Sequence, residues 1–353
     1  MGKVLVPLGA FVAARLLLVA AGRKAGFDPF DPVLWAKWDS GHYLSIARDG
    51  YQLVECWRIG YAPSGWCGNA GWMPAYPALI ALAMRLGARP IPAGVAISAG
   101  FEIALLALLW NRLFVRKNPL ALLACALAPG ALYFHAMFPI SMCAFFVVLC
   151  LSFLLEDRFA LAGLAGAAAA FSYSTGFLVA PVAVAWALTR EGPVAQRASR
   201  AALAGGIAAA GLLAVFAIQQ VTVGAWDGFL RVQAKYDHHL AFPLATLVRE
   251  SMKQGRAIGV QSVAVGVGMI ALFAWRLVRG FRPRDGLLLG CASVFWLFPL
   301  SLGNVSLTRS EALVLPALVL LDEAPPAVVA CVCAFLGTLA WLIVQFFFRG
   351  TLV

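Results

Sequence analysis

Long apolar runs separated by polar segments dominate this chain of 353 residues. The runs are apolar throughout and do not alternate with polar residues at every second position, so they predict helices and not the strands of a membrane barrel. A helix needs about twenty mostly apolar residues to cross a bilayer. The pattern predicts about eleven transmembrane helices, at 4–21, 91–109, 120–136, 140–155, 159–171, 175–188, 201–223, 257–277, 286–302, 310–321 and 326–348.

Three segments do not fit this pattern of spans. Segments 22–73 and 224–256 are long and polar, and we interpret them as extramembrane loops. The apolar piece within 74–88 is too short to cross a bilayer, which favours a helix lying along the interface. The first apolar run also fits a secretory signal, but Arg15 interrupts it and many further spans follow, so we interpret it as a retained helix.

Composition agrees with a membrane protein, because 62% of the residues are hydrophobic, 12% are charged and the mean hydropathy is +0.86. We see no change of composition that would mark a second domain, so residues 1–353 are interpreted as one transmembrane domain. The pI of about 9.6 does not require a nucleic-acid partner. Basic residues at membrane borders follow from topology and from attraction to anionic lipid.

Basic clusters fall on alternate connections between the spans, at 112–117, 190–200 and 276–284. Because short basic loops face the cytoplasm, these connections and the N-terminus are predicted to be cytoplasmic. Loops 22–73 and 224–256 are then extracytoplasmic. This assignment is consistent only if 74–88 does not cross the membrane. High alanine, glycine and arginine with low lysine is typical of a GC-rich bacterial genome, which predicts the bacterial cell (inner) membrane.

Two of the eight cysteines, Cys56 and Cys67, lie together in the first predicted extracytoplasmic loop. An oxidising compartment favours a disulfide between them, and closing this short loop would brace it. Free thiols are the alternative. The other cysteines lie in apolar runs, where small buried packing residues are expected.

Candidate chemistry is concentrated in the polar segment 37–51, just after the first span. If residues 37–47 are helical, Asp39, His42 and Tyr43 share one face and can act on one substrate. A partly desolvated carboxylate beside cations suits a general base. The alternative is that Asp39 only caps a loop helix while neighbouring aromatic residues form an interfacial belt.

The same segment carries the pattern W-D-x-x-H-Y-x-x-I-A-x-x-G-Y, from Trp38 to Tyr51. Further short matches follow in order at 72–77, 128–134 and 174–176, and at Arg309 with Pro316. In these residues the chain resembles the mannosyltransferases typified by PIG-V, from GPI-anchor assembly, and their bacterial relatives. Only the first match is highly specific.

The resemblance implies a GT-C glycosyltransferase fold with an extracytoplasmic catalytic first loop. It also implies inverting transfer of a sugar, usually mannose, from a polyprenyl-phosphate donor to a hydroxyl of a glycan, glycolipid or protein acceptor. Asp39 falls on the position of the proposed base. Phosphate is a good leaving group, so no paired general acid is needed, unlike in glycoside hydrolysis.

Cationic groups at the outer boundary are candidates for holding the departing phosphate. Arg309 is the strongest of them because the family places an arginine there, and snorkelling to the interface is its alternative. Two adjacent histidines allow a metal-site interpretation, but neighbouring side chains point apart and no third ligand is fixed, so we predict no metal and no cofactor. Residues predicted to bind substrate are Lys37, His42, Tyr43, Arg231, Lys235, His238, His239 and Arg309.

Two positions depart from the family pattern. Ile140 stands where the relatives have glutamate, and Tyr173 stands where they have arginine. The losses are compatible with a reciprocal change in one polar contact, with another donor or acceptor, or with a silent relative that binds lipid phosphate or a partner protein. A transporter is a weaker alternative, because we find no paired broken helices at the midplane.

Overall fold

The computed structural model describes residues 2–61, 64–236, 238–303 and 306–351. The protein is mostly helical. Its α-helices, numbered in chain order, are α1 Gly2–Lys24, α2 Ser40–Asp49, α3 Ala75–Arg85, α4 Pro90–Leu108, α5 Pro119–Ala126, α6 Leu132–His135, α7 Ile140–Leu155, α8 Phe159–Ser172, α9 Val179–Thr189, α10 Val194–Ala201, α11 Ile207–Val223, α12 Gly228–Gln233, α13 Pro243–Gln254, α14 Arg256–Arg279, α15 Pro283–Ser301, α16 Leu307–Glu311, α17 Leu315–Leu318 and α18 Pro326–Phe348.

Short irregular elements join or extend these helices. Two strands, β1 Leu53–Glu55 and β2 Trp66–Gly68, pair antiparallel with Val54 opposite Cys67. Single turns of 3₁₀-helix lie at Pro32–Trp35, Cys56–Ile59, Gly176–Leu178, Ala234–Tyr236, Ala312–Val314 and Val319–Glu323. Two π-helical turns, Leu109–Leu113 and Ala202–Gly206, continue neighbouring α-helices.

Five helical stretches within the described residues are long and apolar enough to cross a membrane, and with the composition they indicate an integral membrane protein. Several other apolar helices, among them α7 and α8, are shorter. The number of eleven spans therefore stays a prediction. The five stretches are Gly2–Lys24, Pro90–Leu113, Val194–Val223, Arg256–Arg279 and Pro326–Phe348.

The predicted spans 120–136 and 310–321 are not regular helices. In span 120–136, α5 ends at Ala126 and a turn at Pro129 and Gly130 precedes α6, because proline lacks an N–H donor and Gly130 has a φ of +73°. Span 310–321 belongs to a longer stretch, 307–323, that alternates between α and 3₁₀ turns around Pro316. Apolar runs therefore located both segments but not their interruptions.

The predicted basic connections meet at one end of the helical bundle, which we call the arginine end. There Arg112 pairs with Glu156 at 3.3 Å, and Arg190 pairs with Asp157 at 2.9 Å. Arg284 donates a hydrogen bond to the carbonyl of Leu113. The three basic clusters therefore share one side of the bundle, as the positive-inside pattern predicts.

The two long polar segments meet at the opposite end, which we call the loop end. Gln219 and Gln233 donate hydrogen bonds to the carbonyls of Ala70 and Gly71, at 2.7 and 3.0 Å. Helix α3 stays at this end, because it is only about 16 Å long and because the Tyr76 hydroxyl in its first turn donates to the carbonyl of Gly94, near the start of α4. That segment 74–88 lies along the interface and does not cross the membrane stays a prediction.

Candidate functional site

Asp39 lies immediately before α2, at the loop end. The helix begins at Ser40 and ends at Asp49, so the prediction of a helix over 37–47 is shifted by three residues at its start. Asp39 occupies the N-cap position, but its side chain makes no capping hydrogen bond. Its carboxylate pairs instead with the guanidinium of Arg309. The Asp39 side chain therefore does not cap α2, while the other part of that alternative, an interfacial belt of aromatic residues, stays a prediction.

The backbone before Asp39 is strained and held by packing. Trp38 has a φ of +45°, a conformation that side chains other than glycine rarely adopt. The Trp38 ring packs edge-on against Phe347 of α18, with 5.1 Å between ring centroids. On the other side, the buried Ser40 hydroxyl donates to the carbonyl of Met137 at 3.0 Å. These contacts fix the direction in which the Asp39 carboxylate points.

Arg309 reaches Asp39 from α16, across 270 positions of sequence. Gly130 lets the turn after α5 approach the start of α16, since a Cβ there would lie 2.0 Å from the carbonyl oxygen of Thr308. The Arg309 guanidinium carbon also lies 5.9 Å from the centroid of the Phe138 ring. Only 18% of the Arg309 side chain and 23% of the Asp39 side chain are exposed. Arg309 is thus a shielded partner of Asp39 and does not snorkel outward.

Four tyrosines lie close enough to the Asp39–Arg309 pair to interact with both charges: Tyr43, Tyr133, Tyr173 and Tyr236. Burial and, secondarily, Asp39 raise the pKa of Tyr236 to about 12, so its hydroxyl keeps its proton at neutral pH. Sequence reasoning missed Tyr133 and Tyr236. It considered Tyr173 only as the position at which the family has arginine. The place of Tyr173 directly before the 174–176 match could have marked it as a site residue.

His42 lies in the first turn of α2 and stacks on Trp72, with 3.5 Å between ring centroids and 15° between planes. Burial lowers the pKa of His42, the Asp39 carboxylate opposes this shift, and the nearby Lys235 ammonium adds to it. Because the net shift is downward, His42 is neutral at pH 7. It therefore acts here as a neutral stacking group, not as a cation.

The lowered pKa of His42 makes folding stability depend on pH. Below its ordinary pKa of about 6.5, the unfolded chain binds more protons at His42 than the folded protein does, so this group destabilises the fold as pH falls. We expect the melting temperature of wild type minus that of His42→Phe to be constant above about pH 6.5 and to decrease at lower pH. Thermal unfolding of both proteins between pH 5 and 8 measures this, and a constant difference would contradict it.

The second long loop contributes Lys235 and the two histidines. The Lys235 ammonium lies 5.0 Å from the ring centroid of Tyr236, and partial burial lowers its pKa. His238 forms an isolated bridge with Gly303, and the backbone N–H of His239 donates to the carbonyl of Leu302 at 3.1 Å. These pairings attach the second loop to the segment that leads to α16.

Two predicted substrate ligands form no ion pair with Asp39 in the described part of the chain. Arg231 forms an ion pair of 2.8 Å with Asp227, and its guanidinium carbon lies 5.0 Å from the Trp66 ring centroid. Lys37 is half-buried, and in the described part of the chain it forms no ion pair with Asp39. Across residues 2–61, 64–236, 238–303 and 306–351, no group of three or more His, Cys, Asp or Glu side chains could hold a metal ion.

Cys56 and Cys67 form a disulfide, the pairing that the sequence predicts. Cys67 lies in β2, and Cys56 directly follows β1, so the bond fastens the two strands to each other.

Removing this disulfide is expected to destabilise the first loop by about 3 kcal/mol, because closing a loop of this length removes chain entropy from the unfolded state. We expect Cys67→Ser to be cleaved within the first loop at lower protease concentration than wild type. Cys331→Ser is the matched control, because Cys331 is an exposed free thiol. Equal cleavage of Cys67→Ser and the control would contradict the prediction.

Compared with known proteins, the chain matches no family model and no curated protein at a significant level. The resemblance to the PIG-V-type mannosyltransferases therefore rests on the residues quoted above.

Proposed function

We propose that the protein is a membrane glycosyltransferase of the GT-C type, built from about eleven spans, in the bacterial cell membrane. It transfers a sugar, which we propose is mannose, from a polyprenyl phosphate to an acceptor hydroxyl on the extracytoplasmic face. The transfer inverts the configuration of the anomeric carbon. The observation that supports this best is the shielded pair of Asp39 and Arg309, set among tyrosine hydroxyls at the loop end.

The proposed reaction needs one base and one group of cations. The acceptor oxygen forms a bond to the anomeric carbon, the bond from that carbon to the phosphate oxygen breaks, and Asp39 takes the acceptor proton. Arg309 stabilises the departing lipid phosphate, since a guanidinium matches phosphate geometry. Lys235 and the histidines of the second loop are further candidates for holding the donor.

The pairing in the free protein suggests an order of events. The guanidinium of Arg309 is engaged by the Asp39 carboxylate. When a donor phosphate binds Arg309, it competes with Asp39 for the same guanidinium. A donor phosphate that takes the place of Asp39 on Arg309 frees the carboxylate to accept the proton of the acceptor hydroxyl.

A catalytically silent relative that binds lipid phosphate or a partner protein is the second candidate. Asp39 is already neutralised by Arg309, and Asp39 lines neither the cavity of about 650 Å³ nor the cavity of about 320 Å³ described below. Ile140 and Tyr173 also lack the charges of the relatives. These observations are what a binding protein without turnover would present.

Turnover of a labelled donor separates the two candidates. The full chain is reconstituted in vesicles and incubated with labelled polyprenyl-phosphate mannose. Parallel incubations use polyprenyl-phosphate glucose and other polyprenyl-phosphate sugars. Each incubation is run with and without an acceptor extract. An enzyme releases polyprenyl phosphate and transfers or hydrolyses the label from at least one donor. Donor binding without release across the whole panel would reject the enzyme and select the silent relative.

A further inference from the structure

A polar cavity of about 320 Å³ lies at the arginine end, far from Asp39. Its wall includes the side chains of Arg116, Arg276, Arg279 and Arg282, together with Glu323. We call it the arginine pocket. Gln261 of α14 donates a hydrogen bond to Glu311, which lies two residues after Arg309 in the chain. Arg276 lies about 22 Å further along the axis of α14. The arginine pocket and the candidate active site therefore lie at opposite ends of α14.

The arginine pocket is built around two acidic residues whose charges are already matched. Arg276 is buried and pairs with Asp285 at 2.9 Å and with Glu323 at 3.5 Å. Arg282 pairs with both of these carboxylates, and Arg284 pairs with Glu323 at 3.1 Å. Three arginines thus share two carboxylates, so the cluster has positive charge in excess before its other arginines are counted.

Arg116 and Arg279 add to this excess. Arg116 is held in place because its backbone N–H donates to the buried Asp322 at 2.6 Å, and its guanidinium donates to the carbonyl of Glu323 at 3.1 Å. Arg279 is exposed at the last turn of α14, and within the described residues it forms no ion pair. An anion entering the pocket can therefore bind a guanidinium that no carboxylate occupies.

A second cavity, of about 650 Å³, continues from the arginine pocket as an apolar groove. It lies between α14, the stretch 307–323 and α18, and shares Trp275, Arg279 and Pro325 with the pocket. Aliphatic and aromatic side chains form nearly all of its wall. A ligand that fills both spaces must have a long apolar chain and an anionic head.

We propose that the arginine pocket and its apolar groove together bind one anionic phospholipid, with the phosphate at Arg279 and an acyl chain along α14. Charge selects the lipid class: Asp285 and Glu323 are both engaged by arginines, which disfavours an ammonium headgroup and favours a net negative one. The groove selects a lipid over a free phosphate, because only a lipid buries apolar surface there. This inference does not depend on the proposed reaction.

Thermal unfolding of the delipidated full chain in detergent tests the proposal. Phosphatidylglycerol, phosphatidylcholine with the same acyl chains, and glycerol 3-phosphate are each titrated in. We expect phosphatidylglycerol alone to raise the melting temperature in a saturable way. Equal stabilisation by phosphatidylcholine would overturn the charge selection, and equal stabilisation by glycerol 3-phosphate would show a free-phosphate site instead of a lipid site.

Two variants with matched controls locate the effect. Arg279→Gln is expected to weaken phosphatidylglycerol binding about tenfold, as for one charge-assisted hydrogen bond. Arg256→Gln, at an exposed arginine at the other end of α14, is expected to leave binding unchanged.

Gly268→Leu places a side chain in the groove, where a Cβ meets nothing within 4 Å, and is expected to block the acyl chain. Gly290→Leu, equally open but outside the groove, is its control. If both variants bind like their controls, the site is not here.

Discussion

Replacing Asp39 with asparagine is expected to lower sugar transfer by at least about 100-fold, because positioned general bases contribute factors of that order or more. The asparagine amide has nearly the shape of the carboxylate but cannot take the proton from the acceptor hydroxyl. Donor binding is expected to persist, since Arg309 loses its competitor and stays available to phosphate. Initial rates with labelled polyprenyl-phosphate mannose, at saturating donor, measure the effect.

Asp49→Asn is the matched control for this experiment. Asp49 is the last residue of α2 and is exposed, so the same chemical change is made on the same helix away from Arg309. We expect the control to keep wild-type transfer. If Asp39→Asn also transfers sugar at the wild-type rate, Asp39 takes no part in the reaction.

Replacing Arg309 is expected to have two large effects, on stability and on donor binding. Arg309→Gln leaves the Asp39 carboxylate shielded from water without its cation. The interaction free energy between contacting residues in a double-mutant cycle is about 0.5–3 kcal/mol. The double variant Asp39→Asn with Arg309→Gln removes both charges, so it should be more stable than the sum of the two single changes predicts. Thermal unfolding of wild type, both single variants and the double variant measures the coupling.

The two substitutions should also differ in kinetics. Arg309→Gln is expected to raise the KM for donor, because we propose that its guanidinium binds the donor phosphate, while Asp39→Asn is expected to lower mainly kcat. Arg85→Gln, an exposed arginine at the end of α3, is the control and should change neither constant. Additive stability changes together with an unchanged donor KM in Arg309→Gln would show that this arginine is neither the partner of Asp39 nor a donor ligand.

The membrane class could be predicted from the sequence, and so could the polar segment in which the candidate site lies. Apolar length is a direct physical requirement of the bilayer, and therefore the runs that became α1, α14 and α18 were recognisable without any structure. Asp39 and His42 stand out because ionisable residues in so apolar a chain are energetically costly and usually serve a function. The disulfide followed from two cysteines placed in one loop.

Other features depend on contacts between distant parts of the chain and have no local signal. The pair of Asp39 with Arg309 was not predicted as a contact, because 270 positions separate the two residues. The tyrosines around it look like ordinary aromatic residues in sequence. The break at Pro129 and Gly130, by contrast, has a local signal, because a Pro-Gly pair is typical of a turn, but the apolar run around the pair hid it.

The central claim, that Asp39 is the base of a sugar transfer whose donor phosphate is bound by Arg309, is tested most directly by one paired measurement. Binding of labelled polyprenyl-phosphate mannose and its single-turnover release are followed in the same vesicles for wild type and Asp39→Asn. The account predicts that both proteins bind the donor and that only wild type releases the label. Equal release by both, or binding without release in wild type, would contradict it.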